Sequence, residues 1–241
     1  MRLPSAQTLY DVIDATWPAA EKQQAGPFTL RCGLGGGSRV SAATATAPAS
    51  IDDIQSASDA MRNMGQPALF MVRGSEDALD AQLAGLGFEV MDPVTLYAAP
   101  IDVVATERPP HMAVFTAWPP LAVQAEIWAQ GGVGPARLAV MERTPDPKIA
   151  FLGRARDQPA GAVFVGIAHE CAMIHALEIG DTYRRQGLGL HMTRAAAFWG
   201  RDNGARFLTL VTTNANTGAN ALYTSLGMQV VGHYHYRIKK E

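Results

Sequence analysis

The feature that most constrains this chain is the run Arg184-Arg185-Gln186-Gly187-Leu188-Gly189. It follows an apolar segment, residues 172–179, and opens a helix-like run over 188–201. A strand, a glycine-bearing turn and a helix in that order gather free backbone N–H groups and the helix's positive end at one point. Such a point suits a phosphate. Two glycines at this spacing equally suit a plain strand-to-helix connection with no ligand, so the turn needs support from elsewhere in the chain.

A second constraint is an internal echo. Leu86-Gly87-Phe88-Glu89-Val90-Met91 returns as Leu226-Gly227-Met228-Gln229-Val230-Val231, and Phe70-Met71-Val72 returns as Leu210-Val211-Thr212, both at an offset of 140 residues. In each copy an apolar strand leads to a helix (78–86 and 218–226), a terminating glycine and another strand. The earlier parts correspond more loosely. Residues 28–32 and 39–47 read as strands joined across Gly33-Leu34-Gly35-Gly36-Gly37-Ser38, as do 148–155 and 161–169 across 156–160. The glycine run is superficially like a dinucleotide loop, but its sixth residue is Ser38 and a strand-like segment follows where a helix is required.

Composition excludes several classes. With 241 residues, 48% of them hydrophobic, the chain can bury an ordinary core. A formal net charge of −2 and no Lys/Arg block give no basic face for nucleic acid. No run approaches the ~20 apolar residues of a membrane span, and the start of the chain has no long apolar leader segment. Cys32 and Cys171 are too few for a disulfide framework and lack metal-ligand spacing, which makes a cytoplasmic protein without a metal the expectation.

Downstream of the turn comes Asn216-Thr217-Gly218-Ala219-Asn220-Ala221-Leu222-Tyr223, then Leu226-Gly227-Met228. The pattern Arg-x-x-Gly-x-Gly followed by Asn-x-x-Ala-x-x-Leu-Tyr-x-x-x-Gly-hydrophobic resembles the GNAT superfamily of acyl-CoA-dependent N-acetyltransferases, and the resemblance spans residues 109–241. It implies an α/β (α+β) fold, a mixed and mostly antiparallel sheet flanked by helices. With the echo, it implies two tandem copies: a degenerate unit at 1–105 and an acetyl-CoA-binding unit at 106–241, joined through an extended linker containing Pro100, Pro109 and Pro110. One fold with an N-terminal elaboration is the alternative. In the first unit the place of the phosphate turn, residues 45–53, has no glycine and carries Asp52 and Asp53. Ser50 with Asp53 reads there as the cap of a helix running to Arg62. Leu83 stands where the second unit has Tyr223. In the second unit 121–130 reads as the first helix and 138–142 as the first strand. The helix after the turn carries Leu188, Met192, Ala195 and Trp199 as a core stripe.

What the resemblance implies about chemistry follows position by position. Backbone N–H groups of Gln186, Gly187, Leu188 and Gly189 would hold the pyrophosphate of acetyl-CoA, with Arg184 and Arg185 adding charge. The strand ending at Ile179 would splay from its neighbour, and an N–H near Ile179 would polarise the thioester. Asn216, and Asn220 one turn on, would contact the pantetheine arm; Asn216 also suits a plain helix cap. Tyr223 would protonate the departing thiolate, or else be an amphipathic core residue. Several relatives carry a Glu base where this chain has Met173. Strand alternation makes His175 the substitute and sends Glu178 to the opposite face unless a bulge intervenes. A buried structural histidine is the alternative for His175. The acceptor, a primary amine of a small metabolite first and a protein N-terminus or lysine second, would be bounded by the first helix and the terminal strand with His233, Tyr234, His235 and Tyr236. That cluster equally suits a packed terminal strand. An acyl-CoA-binding sensor without turnover is the other class of function, and a homodimer is left open.

Overall fold

The computed structural model describes residues 2–239; Met1, Lys240 and Glu241, the outer ends of the two expected units, lie outside them. The first unit runs α1 (Ala6–Thr16), β1 (Glu21–Ala25), β2 (Phe28–Cys32), a 3-10 turn at Ser38–Val40, β3 (Thr44–Ala45), α2 (Ile51–Asn63), β4 (Leu69–Arg73), α3 (Asp77–Gly85) and β5 (Glu89–Pro100). Then come α4 (Ile101–Val104), β6 (Val114–Ala117), α5 (Ala122–Gln130), α6 (Pro135–Arg143), β7 (Lys148–Ala155), β8 (Gln158–Ala168) and β9 (Cys171–Ile179). A 3-10 turn at Asp181–Tyr183 leads to α7 (Leu188–Asp202), β10 (Phe207–Thr213), α8 (Thr217–Ser225) and β11 (Gln229–Ile238).

The expected mixed, mostly antiparallel sheet flanked by helices is what forms. Eight strands lie in the order β4-β11-β5-β10-β9-β8-β7-β6, and every pairing is antiparallel except β10 with β9. A small β1-β2-β3 sheet joins the β4 edge through Ala43 and Phe70. α7 packs on one face, where Leu188 and Met192 are buried and Ala195 and Trp199 are half-buried against the same core. α1 covers the other face with Leu9, Val12 and Ile13. α5 and α6 lie beside it, with Trp128, Val140 and Met141 fully buried.

Strands from before and after residue 105 interlock. β5 lies between β10 and β11, and β11 lies between β5 and β4. The registers obey the sequence offset: Leu210 faces Tyr97 in one pair, and Phe70 faces Arg237 in the other, each residue 140 positions from its counterpart. The same holds for Thr209 with Ala98 against Leu69 with Ile238.

Three expectations are corrected. Residues 138–142, read as a strand, lie inside α6. Pro135 occupies its first turn, where a missing N–H costs nothing, and Ala136, Leu138, Ala139 and Met141 are good helix formers. Of 39–47 only Thr44–Ala45 is extended, because the chain turns tightly at Ser38–Val40. Pro100 ends β5 and leads into α4, whose Ile101 and Val104 are buried, so the linker containing Pro109 and Pro110 is shorter than expected. The capped helix after Ser50 is present. The Ser50 hydroxyl accepts from the Asp53 amide, and the Asp53 carboxylate accepts in return from the Ser50 amide. The glycine run packs against α6, since a Cβ on Gly36 would lie 2.7 Å from Val140 Cγ2.

Candidate active site

Parallel strands β9 and β10 pair only as far as Ile174 and Leu210 and then part. Their separation opens a cleft of about 1020 Å³, walled by the second halves of both strands, the turn before α7, and α8. The direction of β9 changes at a bulge. The β8 register skips between Ala162 opposite Glu178 and Phe164 opposite His175, and Ala176 takes φ +47°. Buried Trp128 of α5 holds this bulge by donating from Nε1 to the Ala176 carbonyl at 2.7 Å.

At the turn, Gly187 is left-handed with φ +83° and its carbonyl accepts the first bond of α7, from His191 N at 3.1 Å. Among the described residues, no backbone N–H from Arg185 to Leu190 has a backbone or side-chain acceptor. They crowd the positive end of a 15-residue helix, an arrangement that favours an anion. Gly189 also lets α8 approach: a Cβ there would stand 3.2 Å from Leu222 Cδ2. Arg184 lines the cleft while donating from Nε to the Ile179 carbonyl (3.1 Å) and pairing with exposed Asp181 (3.0 Å). Arg185 lines it with no ion pair among the described residues. The Gln186 side chain turns away to donate to the Thr182 carbonyl, leaving only its backbone for a ligand.

On α8, Asn216 lines the cleft and caps the helix, its Oδ1 accepting from Ala219 N at 3.1 Å. Asn220 does not join it, a correction to its expected role. Its Nδ2 donates to the carbonyls of Thr213 and Asn216, and its Oδ1 accepts from the Tyr97 hydroxyl of β5 at 2.9 Å. The amide is spent on tying α8 to β10 and β5. Tyr223 is 5% exposed, with its ring 5.9 Å from that of Tyr97. Its side chain borders the cleft, and its hydroxyl makes no hydrogen bond among the described residues. Burial, and then the Glu178 charge, raise its pKa and keep it protonated.

His175 and Glu178 are both on the cleft wall away from α7. The expected alternation fails here because the bulge inserts a residue: Leu177 and Ile179 face the α7 core, and Glu178 turns toward Gly131 at the end of α5. Burial raises the Glu178 pKa, against the lowering effect of Arg184 and Arg137. His175 is buried with both ring nitrogens engaged. The Thr16 hydroxyl donates to the Val12 carbonyl, so it accepts from His175 Nε2 at 2.8 Å, while Nδ1 accepts from Arg39 at 3.0 Å. Burial and then Arg39 hold the imidazole well below its ordinary pKa. It is a neutral ring, stacked on Trp17 at 4.9 Å, with no nitrogen left to take a proton from substrate. This corrects the expectation that His175 substitutes for the base. Met173, at the position of the missing Glu, is fully buried under α1.

The terminal strand is not an acceptor wall. Tyr234 and Tyr236 are buried beneath α1, and His235 and Arg237 bind Asp80 of α3 at 2.7–2.9 Å. The cleft is lined on that side of the sheet by Trp17, Arg39, Val133 and Arg137, none of which carries a sequence signal. They come from the end of α1, the 3-10 turn after the glycine run, the connection between α5 and α6, and α6. No group of three or more His, Cys, Asp or Glu residues converges on a metal-sized site among the described residues. No helix there is long and apolar enough to cross a membrane.

A sheet that splays beside a glycine-bearing helix turn gives the chain a GNAT-like fold. Residues 113–228 match the Acetyltransferase (GNAT) family. Over 235 residues the chain is 23% identical to the uncharacterized N-acetyltransferase YobR of Bacillus subtilis (strain 168), covering 94% of this chain and 95% of that relative. Its fold is shared with a GCN5-related N-acetyltransferase from Kribbella flavida, with a TM-score of 0.73, 18% identity, and coverage of 98% of this chain and 96% of that one. A tandem GNAT protein from the clavulanic acid biosynthesis pathway is similar over 78% of this chain and 67% of its own, with a TM-score of 0.57 and 14% identity.

Proposed function

We propose that the cleft binds acetyl-CoA and transfers its acetyl group to a primary amine of a small metabolite by direct attack in a ternary complex. The observation that carries this is the row of unpartnered N–H groups from Arg185 to Leu190 at the mouth of the β9/β10 splay. In this reading the backbone of Gln186, Gly187, Leu188 and Gly189 holds the pyrophosphate. Arg184 and Arg185 add charge, Asn216 borders the pantetheine arm, and an N–H near Ile179 polarises the carbonyl. Glu178, desolvated and on the acceptor side of β9, takes the proton from the attacking nitrogen directly or through water. As the carbon–sulfur bond breaks, the Tyr223 hydroxyl gives its proton to the sulfur, so the products are an amide and free coenzyme A. His175 positions the wall and does not exchange protons.

The duplicated register supports a tandem origin, with a degenerate copy at 1–105 and the binding copy at 106–241. Two unpaired cysteines suit a reducing cytoplasm. The test is acetyl-CoA binding by calorimetry and coenzyme A release against a panel of amines, for wild type and Gly187→Glu. Binding that disappears in the variant, with release for one amine class, is expected. No binding by the wild type overturns the donor site, and binding without release for any amine leaves a sensor.

A further inference from the structure

The cleft wall on the side of α6 carries two guanidinium groups that outnumber the one carboxylate beside them, Glu178. Arg39 lies over the Trp17 ring at 5.0 Å and donates to His175 Nδ1. Arg137 contacts only the Gly132 carbonyl, at 3.4 Å, and neither arginine makes an ion pair among the described residues. Both border the cleft beside Glu178. The two cations feel each other: burial and then Arg39 lower the Arg137 pKa, against the raising effect of Glu178. Their placement is built into the chain. Gly37 has φ +97°, and a Cβ on it would stand 3.2 Å from Arg137 Nε and Nη2. Glycine at this position of the run thus leaves room for the Arg137 guanidinium against the backbone.

We propose that Arg39 and Arg137 form a subsite for an anionic group of the acceptor, so that the acetylated amine also carries a carboxylate, as an amino acid does. The inference rests on the acetyltransferase reading given above. A guanidinium fork matches a carboxylate in plane and in spacing of donors. Charge counting favours a monoanion: Arg39 and Arg137 against Glu178 leave one positive charge, which a carboxylate balances and a phosphate dianion exceeds. Arg39, fixed by His175 and Trp17, presents its remaining donors without first losing freedom. Arg137 supplies the second pair of donors. The carboxylate then sits at the α6 side of the wall, with the amine directed along it toward Glu178 and the thioester.

The test is coenzyme A release from acetyl-CoA with amino acids, their amides and matching aminoalkyl phosphonates, for wild type, Arg137→Ala and Arg137→Lys. Acids are expected to exceed their own amides in kcat/KM by about tenfold or more, the range of a charge-assisted hydrogen bond. Arg137→Ala should raise KM for the acid about 10–100-fold and erase the preference, Arg137→Lys should restore part of it, and acetyl-CoA affinity should be unchanged in both. Equal rates for acid and amide, preference for the phosphonate, an equal loss for both in Arg137→Ala, or release from no acid in the panel each overturn the subsite. Turnover of neutral amines alone would do so while leaving the acetyltransferase reading intact; loss of wild-type acetyl-CoA binding would sink that reading instead.

Discussion

Tyr223→Phe separates chemistry from packing at the centre of the cleft. The substitution removes one oxygen and keeps the ring that lies 5.9 Å from Tyr97. The hydroxyl has no hydrogen-bond partner among the described residues, so its loss strands no donor or acceptor, and stability should change by no more than about 0.5 kcal/mol. For a protein of this size that is a Tm shift of about 1–2 °C. The effect on rate should be large. A positioned general acid contributes roughly 10²–10⁴-fold, or about 3–5 kcal/mol of transition-state stabilisation. Steady-state coenzyme A release, calorimetric affinity for acetyl-CoA and a thermal melt, made on one preparation, are then expected to show kcat down by at least about 100-fold with affinity and Tm held. An unchanged kcat refutes the acid role. A fall in kcat that tracks an equal loss of affinity or of Tm refutes the separation and returns Tyr223 to binding or to the core.

Two further substitutions test the electrostatics. Glu178→Gln should remove the acidic limb of the pH–rate profile, because the carboxyl acts as a base only above a pKa that burial raises. The same shift fixes the sign for stability. A carboxyl whose folded pKa lies above its unfolded value favours the fold at low pH and loses that contribution as pH rises through the folded pKa, so at neutral pH the Gln variant should melt above wild type. Asp80→Asn works in the opposite sense. Hydrogen bonds from Arg237, then His235, hold the Asp80 carboxyl at about 2, below its ordinary 3.8, so its contribution is present above pH ~4 and lost as pH falls through ~2. With the side chain 30% exposed, a discounted value of about 1 kcal/mol applies, and melts at pH 7 and pH 2 should show the wild-type advantage at the first and its disappearance at the second.

What the sequence made legible was local. A strand, turn and helix over 172–201 could be read because each boundary has its own chemistry: an apolar run, a left-handed glycine and a periodic helix. Glu178 was misplaced because alternation assumes one residue per partner, and the bulge at Ala176 is fixed by Trp128, 48 residues earlier in the chain. Asn220 was read correctly as lying on the face of Asn216. What could not be read is that Tyr97 of another strand claims its oxygen first. His175 looked free because its partners, Thr16 and Arg39, lie 159 and 136 residues away. This side of the cleft was invisible for the same reason: Trp17, Arg39 and Arg137 share no motif and meet only when α1 and α6 close on β9.

The interlocking strands explain why residues before 105 matter to a cleft whose glycine-bearing turn lies at 184–189. β10 forms one wall of the cleft, and its outer edge is covered along its whole length by β5, from Phe207 opposite Pro100 to Thr213 opposite Val94. Without β5 that edge would present a row of unpaired N–H and C=O groups, and β11 would lose a partner on the same side. β5 also supplies Tyr97, which packs on Tyr223 and ties down Asn220. The 3-10 turn at Ser38–Val40 carries Arg39 to the cleft, and the end of α1 carries Trp17. The cleft is therefore assembled from strands and turns on both sides of residue 105.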